Sequence, residues 1–196
     1  MVQTPAKSLT LEEFLQLPET KPASEYVKGQ IIQKPMPQGK HSTVQRELTF
    51  ALDRPLRDKK IARAFPELRC TYPAGSRSSV YEGRSIVPDV AVFTWERIPR
   101  DENGKVLNSF ELAPDWTIEI LSPDQSPTKV IRNILHCLDH GSQMGWLIDP
   151  EEEVVFVYFG DRTVRLFEIA EQRLPVPSFA TDLQLTVGAL FGWLAE

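Results

Sequence analysis

The sequence predicts one α/β (α+β) domain over residues 1–196, with a mixed central β-sheet flanked by helices and an extra C-terminal hairpin. Three observations carry this. Short, strongly apolar runs at 86–94, 116–121 and 146–148 have the length and composition of buried strands. They alternate with stretches of helical periodicity in the order helix, strand, strand, helix, strand. A length of 196 residues suits a single sizeable core.

At the start, Thr10, Leu11, Glu12 and Glu13 form the capping-box pattern T-x-x-E, and Phe14, Leu15 and Leu17 follow before Pro18 ends a short helix. Residues 25–27 and 30–34 read as a hairpin around Lys28-Gly29, where glycine supplies the turn conformation. From His41, the spacing of Val44, Leu48, Ala51, Leu52 and Leu56 predicts the first long amphipathic helix. Strands are expected over 61–71 and 86–94, separated by a Gly-, Ser- and Arg-rich turn over 73–84. A third strand covers 116–121. Ser126-Pro127 then opens a helix as N-cap and first-turn residues, and Gly141 stops it. A strand at 146–148 ends at Asp149-Pro150, and 154–158 with 164–169 make the hairpin across Gly160-Asp161. Val187, Leu190, Phe191 and Leu194 form a short amphipathic tail helix. That tail, with Trp193, is a candidate homodimer contact, the alternative being packing within the chain.

Hydrophobic content of 41% and charged content of 25% belong to a globular protein. No apolar run reaches the ~18 residues of a membrane span, and residues 1–10 lack the basic-then-apolar pattern of a secretory signal. A cytoplasmic location is expected. Cys70 and Cys137 have no metal or redox spacing and read as small buried hydrophobes. The net charge of −5 disfavours a general polyanion binder, but the window 54–84 holds eight basic residues against three acidic ones. Such a stripe suits a phosphate-bearing substrate or, equally, a solvated helix end.

Two acids stand out. Asp89 interrupts the apolar run 86–93, on the same strand face as Val87 and Ala91, and Glu119 interrupts 116–121 on the face opposite Ile118 and Ile120. A buried carboxylate costs several kcal/mol unless a cation or several donors compensate. A hard divalent cation such as Mg²⁺ is one compensator, and a structural ion pair is the other. The residues alone leave both open.

Taken in order, Glu25 before Gly29-Gln30-Ile31, His41 at the helix start, Pro88-Asp89-Val90, Ile118-Glu119-Ile120-Leu121-Ser122-Pro123 and Gly145-Trp146-Leu147-Ile148-Asp149-Pro150 resemble the Uma-two family of the PD-(D/E)XK, restriction endonuclease-like, superfamily. The resemblance implies a restriction endonuclease-like core and a Mg²⁺- or Mn²⁺-dependent endonuclease acting on phosphodiester bonds of DNA. Asp89 and Glu119 would hold the metal, and a lysine would polarise the attacking water. The superfamily places that lysine two residues after the glutamate, where this chain has Leu121. Family relatives carry it on the next helix, at the position of Asn133, with an acid where this chain has Lys129. Lys129 and Asn133 share a helix face about 6 Å apart, so Lys129 is the candidate replacement, against the plain alternative of an exposed first-turn lysine. Glu25, as a third metal-side acid, and His41, near phosphate or a ligand water, are supporting candidates. His136 and His140 read as surface or packing residues, not a zinc pair, although their i, i+4 spacing permits one. The substitutions at 121 and 133 also allow a catalytically inactive member, serving as a nucleic-acid-binding or protein-interaction module.

Overall fold

The computed structural model describes residues 9–73, 83–123 and 125–195. Its strands form two sheets. The larger has the order β10-β9-β8-β7-β6-β3, built from β3 (Ala62–Pro66), β6 (Val90–Thr94), β7 (Trp116–Ile120), β8 (Met144–Asp149), β9 (Val154–Phe159) and β10 (Val164–Phe167). Only β7 and β8 run parallel, and helix α3 (Pro127–Asp139) connects them; every other pair is antiparallel. This is the expected mixed central sheet. The C-terminal hairpin extends it by adding β9 and β10. The smaller sheet, β2-β1-β5-β4, joins β1 (Ser24–Val27), β2 (Gln30–Gln33), β4 (Cys70–Tyr72) and β5 (Arg84–Ile86).

The second sheet corrects the strands expected over 61–71 and 86–94. Each run is two strands, one in each sheet: β3 then β4, and β5 then β6. Buried residues flank both breaks, so only short local signals mark the crossing: after β3, Pro66 and Glu67 are exposed and Glu67 has a φ of +49°. Pro88 is the local cause at the second break, since it has no N–H to give a ladder. Asp89 therefore stands at the crossover just ahead of β6 and not inside a strand.

Helix α2 (Gly39–Asp58) covers one face of the large sheet through Val44, Leu48, Leu52 and Leu56, four residues apart and all buried against Val90, Val92, Ile118 and Ile120. The other face takes α3, whose Val130, Ile134 and Leu138 pack on Leu147 and Tyr158. A third cluster, with Cys70, Tyr72, Ile86, Ala91, Phe93 and Phe110, includes residues of both sheets. Alternation along β7 thus sends Ile118 and Ile120 toward α2 and Glu119 toward the α3 side.

Several local signals act as expected. In α1 (Leu11–Leu15) the Thr10 hydroxyl accepts from the Glu13 N–H and the Glu13 carboxylate accepts from the Thr10 N–H, closing the capping box. Pro127 opens α3, and beyond its end Gly141 has a φ of +103°. The tail helix α4 (Val187–Gly192) turns inward: Leu190 and Phe191 are buried, and Trp193 and Leu194 pack against the same core. The tail is therefore used by intramolecular packing. Cys70 and Cys137 are buried free thiols, and among the described residues no helix is long and apolar enough to cross a membrane.

The α3–β8 contact depends on a missing side chain. A Cβ at Gly145 would lie 2.3 Å from Ile134 Cγ2 and 3.3 Å from Thr117 Cγ2. Ile134 is β-branched and fully buried, so its methyl has little room to move. Gly145→Ala is expected to destabilise the fold by about 1–3 kcal/mol, read as a lowered urea midpoint with an unchanged m-value.

Candidate active site

The site forms where the chain crosses between the sheets. Glu25 in β1 accepts the Val87 N–H on Oε1 (2.9 Å) and the Asn133 side-chain N–H on Oε2 (3.0 Å). It ties the small sheet, the crossover and α3 to one another. The next turn of chain delivers Asp89, whose backbone carbonyl accepts from Gln45 Nε2 of α2 (2.9 Å).

Asp89 is 1% exposed and its two oxygens have different partners. Oδ2 accepts the Ile120 N–H at 2.7 Å and lies 3.2 Å from His41 Nε2 in the first turn of α2. Oδ1 faces the ammonium of Lys34 at 2.5 Å. Lys34 follows directly after β2. Its backbone N–H donates to the Ala23 carbonyl (2.9 Å), and its Nζ also donates to the Val87 carbonyl (2.8 Å). The same Nζ lies 3.6 Å from Glu119 Oε2. One ammonium therefore serves two carboxylates that are each about 2% exposed.

That balance is short of positive charge. Burial pushes the Asp89 carboxyl up, but Lys34 and His41 outweigh it and hold Asp89 well below the usual carboxylate range. Burial, together with Asp89 and Glu25 and against the pull of Lys34, raises Glu119 well above it. Lys34 is held above the ordinary lysine range, because the three acids overcome the effect of its burial. Among the described residues, Glu119 Oε1 and His41 Nδ1 are buried without a hydrogen-bond partner. An orphaned carboxylate oxygen this deep invites a missing cation or donor.

Above the acids runs a groove of about 800 Å³, lined among others by Glu25, Lys34, Tyr72, Arg84, Lys129 and Asn133. Asp89 and Glu119 do not line it; Lys34 does, and so stands between them and the groove. A second hollow of about 530 Å³ lies along α2 around Arg46, Phe50 and Asp53 and is not lined by either acid.

The model of the Uma2 family, described as "Putative restriction endonuclease", matches residues 11–188. The chain is a member of the Uma2 family. Its fold is shared by the crystal structure of a protein from Anabaena variabilis ATCC 29413, titled a "putative nuclease belonging to DUF820". The two are 57% identical, with a TM-score of 0.88 over 95% of this chain and 99% of the other. A search of curated proteins finds no match.

Within this Uma2 fold the residues singled out from sequence take distinct places. Asp89, Glu119 and His41 come together as expected. Glu25 is close enough to bear on both Lys34 and Glu119, and its two oxygens accept from the Val87 N–H and from Asn133, so it braces the crossover beside the acids. Asn133 holds Glu25. Lys129 is exposed on the groove lining, and the cation found against the acids is Lys34 instead. Leu121, directly after β7, is half-buried against the apolar cluster under α3, so the position that would carry a lysine holds an apolar packing residue.

Lys34 is the residue that sequence reasoning missed. It ends an outwardly exposed edge strand, which reads as an ordinary surface lysine, and it lies 55 residues from Asp89. The one available signal was indirect: two acids in apolar runs require a cation from somewhere. The basic window 54–84 also resolves differently from a continuous stripe. Arg57 and Arg63 pair with Asp53, Lys59 with Asp182 and Arg69 with Glu19, while Arg84 lines the groove. Most of the turn expected over 73–84, including Arg77, lies outside the described residues.

His136 and His140 meet Tyr72 edge-on and each other at a tilt, with ring centroids 4.1 to 4.8 Å apart. Burial, with Arg84 and His140 nearby, pulls His136 down to about 3, so it is neutral at physiological pH. This is the packing role expected of the pair.

Proposed function

We propose that this protein is a divalent-metal-dependent phosphodiester hydrolase acting on DNA in the cytoplasm, with Asp89 and Glu119 as the metal-side acids. The observation that carries the reading is that two buried carboxylates, Asp89 from the crossover ahead of β6 and Glu119 from β7, share one ammonium. Among the described residues no three His, Cys, Asp or Glu side chains form a ready metal cage. Mg²⁺ does not need one, since it commonly takes one or two carboxylates and completes its octahedron with water. Asp89 Oδ1 and the Glu119 oxygens are the donors available to it, and the unpartnered Glu119 Oε1 fits an oxygen-seeking cation. When bound, such an ion lowers the pKa of a coordinated water and stabilises charge on the phosphoryl oxygens.

The chain's own groups supply the rest. The Ile120 N–H and His41 fix the orientation of Asp89 through Oδ2, leaving Oδ1 for a cation. Glu25 sets the crossover that carries it. Arg84, Lys129 and Arg132 line the groove and suit a phosphate backbone. Leu190 and Phe191 of the tail belong to the chain's own core, which supports packing within the chain as their role.

Cleavage of plasmid or single-stranded DNA in Mg²⁺ or Mn²⁺ is expected for the wild type and should be lost in Asp89→Ala. Equal cleavage by the two preparations would mark the activity as a contaminant and remove the reading. A second reading, a non-catalytic binding module, is favoured by one specific observation: Asn133, at the position where relatives carry the lysine, is committed to Glu25. That reading expects no cleavage and no metal binding.

A further inference from the structure

We infer that Lys34 is a displaceable internal counter-ion which, once a divalent ion settles on Asp89 and Glu119, is released into the groove to meet a DNA phosphate. This rests on the hydrolase reading and assigns to Lys34 the cationic role that positions 121, 129 and 133 do not fill.

Three features support it. Leu121 is a half-buried apolar residue packed under α3, Asn133 is held by Glu25 and Lys129 is exposed on the groove lining, so none of them supplies a cation against the acids. The Lys34 ammonium meets three acceptors, Asp89 Oδ1, Glu119 Oε2 and the Val87 carbonyl, and it stands between the carboxylates where a shared cation would stand. It supplies one positive charge to two carboxylates, and a dication supplies two, so the acids hold the dication more strongly and repulsion expels the ammonium.

Release is sterically open. Lys34 directly follows β2, the edge strand of the small sheet, and already lines the groove, while its four-carbon stem lets the ammonium move without the backbone. The groove also presents Arg84, Lys129 and Arg132, so a polyanion drawn there brings phosphate to the freed ammonium. The lysine thus has two successive partners: carboxylates in the metal-free protein, and a phosphate oxygen in the loaded one.

Two measurements test this. In the first, wild-type protein is treated with an amine-reactive reagent and the labelled lysines are read by peptide mass spectrometry. Lys34 should label at least tenfold faster in saturating Mg²⁺ than in chelator, and become protected again when a short DNA oligonucleotide is added with Ca²⁺ in place of Mg²⁺. The exposed Lys60 and Lys105 should label alike with Mg²⁺ and with chelator. In the second, calorimetry should show Lys34→Met binding Mn²⁺ at least tenfold more tightly than the wild type, and Asp89→Asn not binding. If Lys34→Met does not fold, the labelling of the wild type decides alone. Mn²⁺ binding that needs Asp89 while Lys34 stays protected in Mg²⁺ overturns this inference and leaves the hydrolase reading standing. Release by Mg²⁺ without protection by DNA overturns the phosphate role. No Mn²⁺ binding by either the wild type or Lys34→Met, or equal binding by Asp89→Asn, overturns both.

Discussion

Lys34→Met is expected to destabilise the metal-free protein by about 3–5 kcal/mol, the usual cost of removing one partner from a buried ion pair. At this chain length that is about 6–20 °C in Tm. The cause is that Asp89 keeps only His41 and the Ile120 N–H, while Glu119 loses its sole ion-pair partner among the described residues. Saturating Mn²⁺ should restore much of the loss, because a ligand that binds only the folded state stabilises it by mass action, about 2.7 kcal/mol at a hundredfold excess over Kd. Thermal melts in chelator and in Mn²⁺ check both statements. A variant as stable as the wild type in chelator would mean that the ammonium contributes nothing to holding the crossover.

Glu119→Gln is expected to act in the opposite direction on stability and to abolish metal binding. The folded-state pKa of Glu119 lies above the unfolded value, so the native protein binds that proton more tightly and the ionised side chain costs stability at neutral pH. An amide mimics the protonated acid and removes that cost. Each kcal/mol regained raises Tm by about 2–4 °C. The advantage of Glu119→Gln should shrink as pH falls and the wild type takes up its own proton. Asp89 has the reverse sign: its folded pKa is depressed, so its contribution is present above about 3.9, the unfolded value, and is lost as pH falls toward the folded one. Tm measured against pH for the wild type, Glu119→Gln and Asp89→Asn separates the two acids. Unlike the wild type, Glu119→Gln should gain no stability from Mn²⁺.

Burial raises both acids, and one ammonium shared unequally, at 2.5 Å from Asp89 and 3.6 Å from Glu119, outweighs it together with His41 at Asp89 but not at Glu119. That inequality explains which part of the site could be read from sequence. Asp89 and Glu119 are legible because an acid inside an apolar run is conspicuous, and β7 and β8 because their residues are almost uniformly buried. The α1 cap and the Ser126-Pro127 start of α3 are legible because capping is decided within a few residues. The sheet crossings after β3 and β5 are marked only by Pro66-Glu67 and by Pro88, because the buried residues on either side leave the same pattern whichever sheet buries them. Lys34 is not legible. Its strand shows exposed positions, and only the pairing of β1 with β5 brings that hairpin to the crossover. Glu25 was legible as a residue of the site but not as a brace, because its partners Val87 and Asn133 lie 62 and 108 residues away.

The most direct test of the central claim is a crystal grown or soaked with Mn²⁺ and measured at an anomalous wavelength. The expected result is one ion held by Asp89 Oδ1 and Glu119, with the Lys34 ammonium moved out into the groove. An Asp89–Lys34–Glu119 cluster unchanged in saturating Mn²⁺, with no anomalous peak at the two carboxylates, would contradict it.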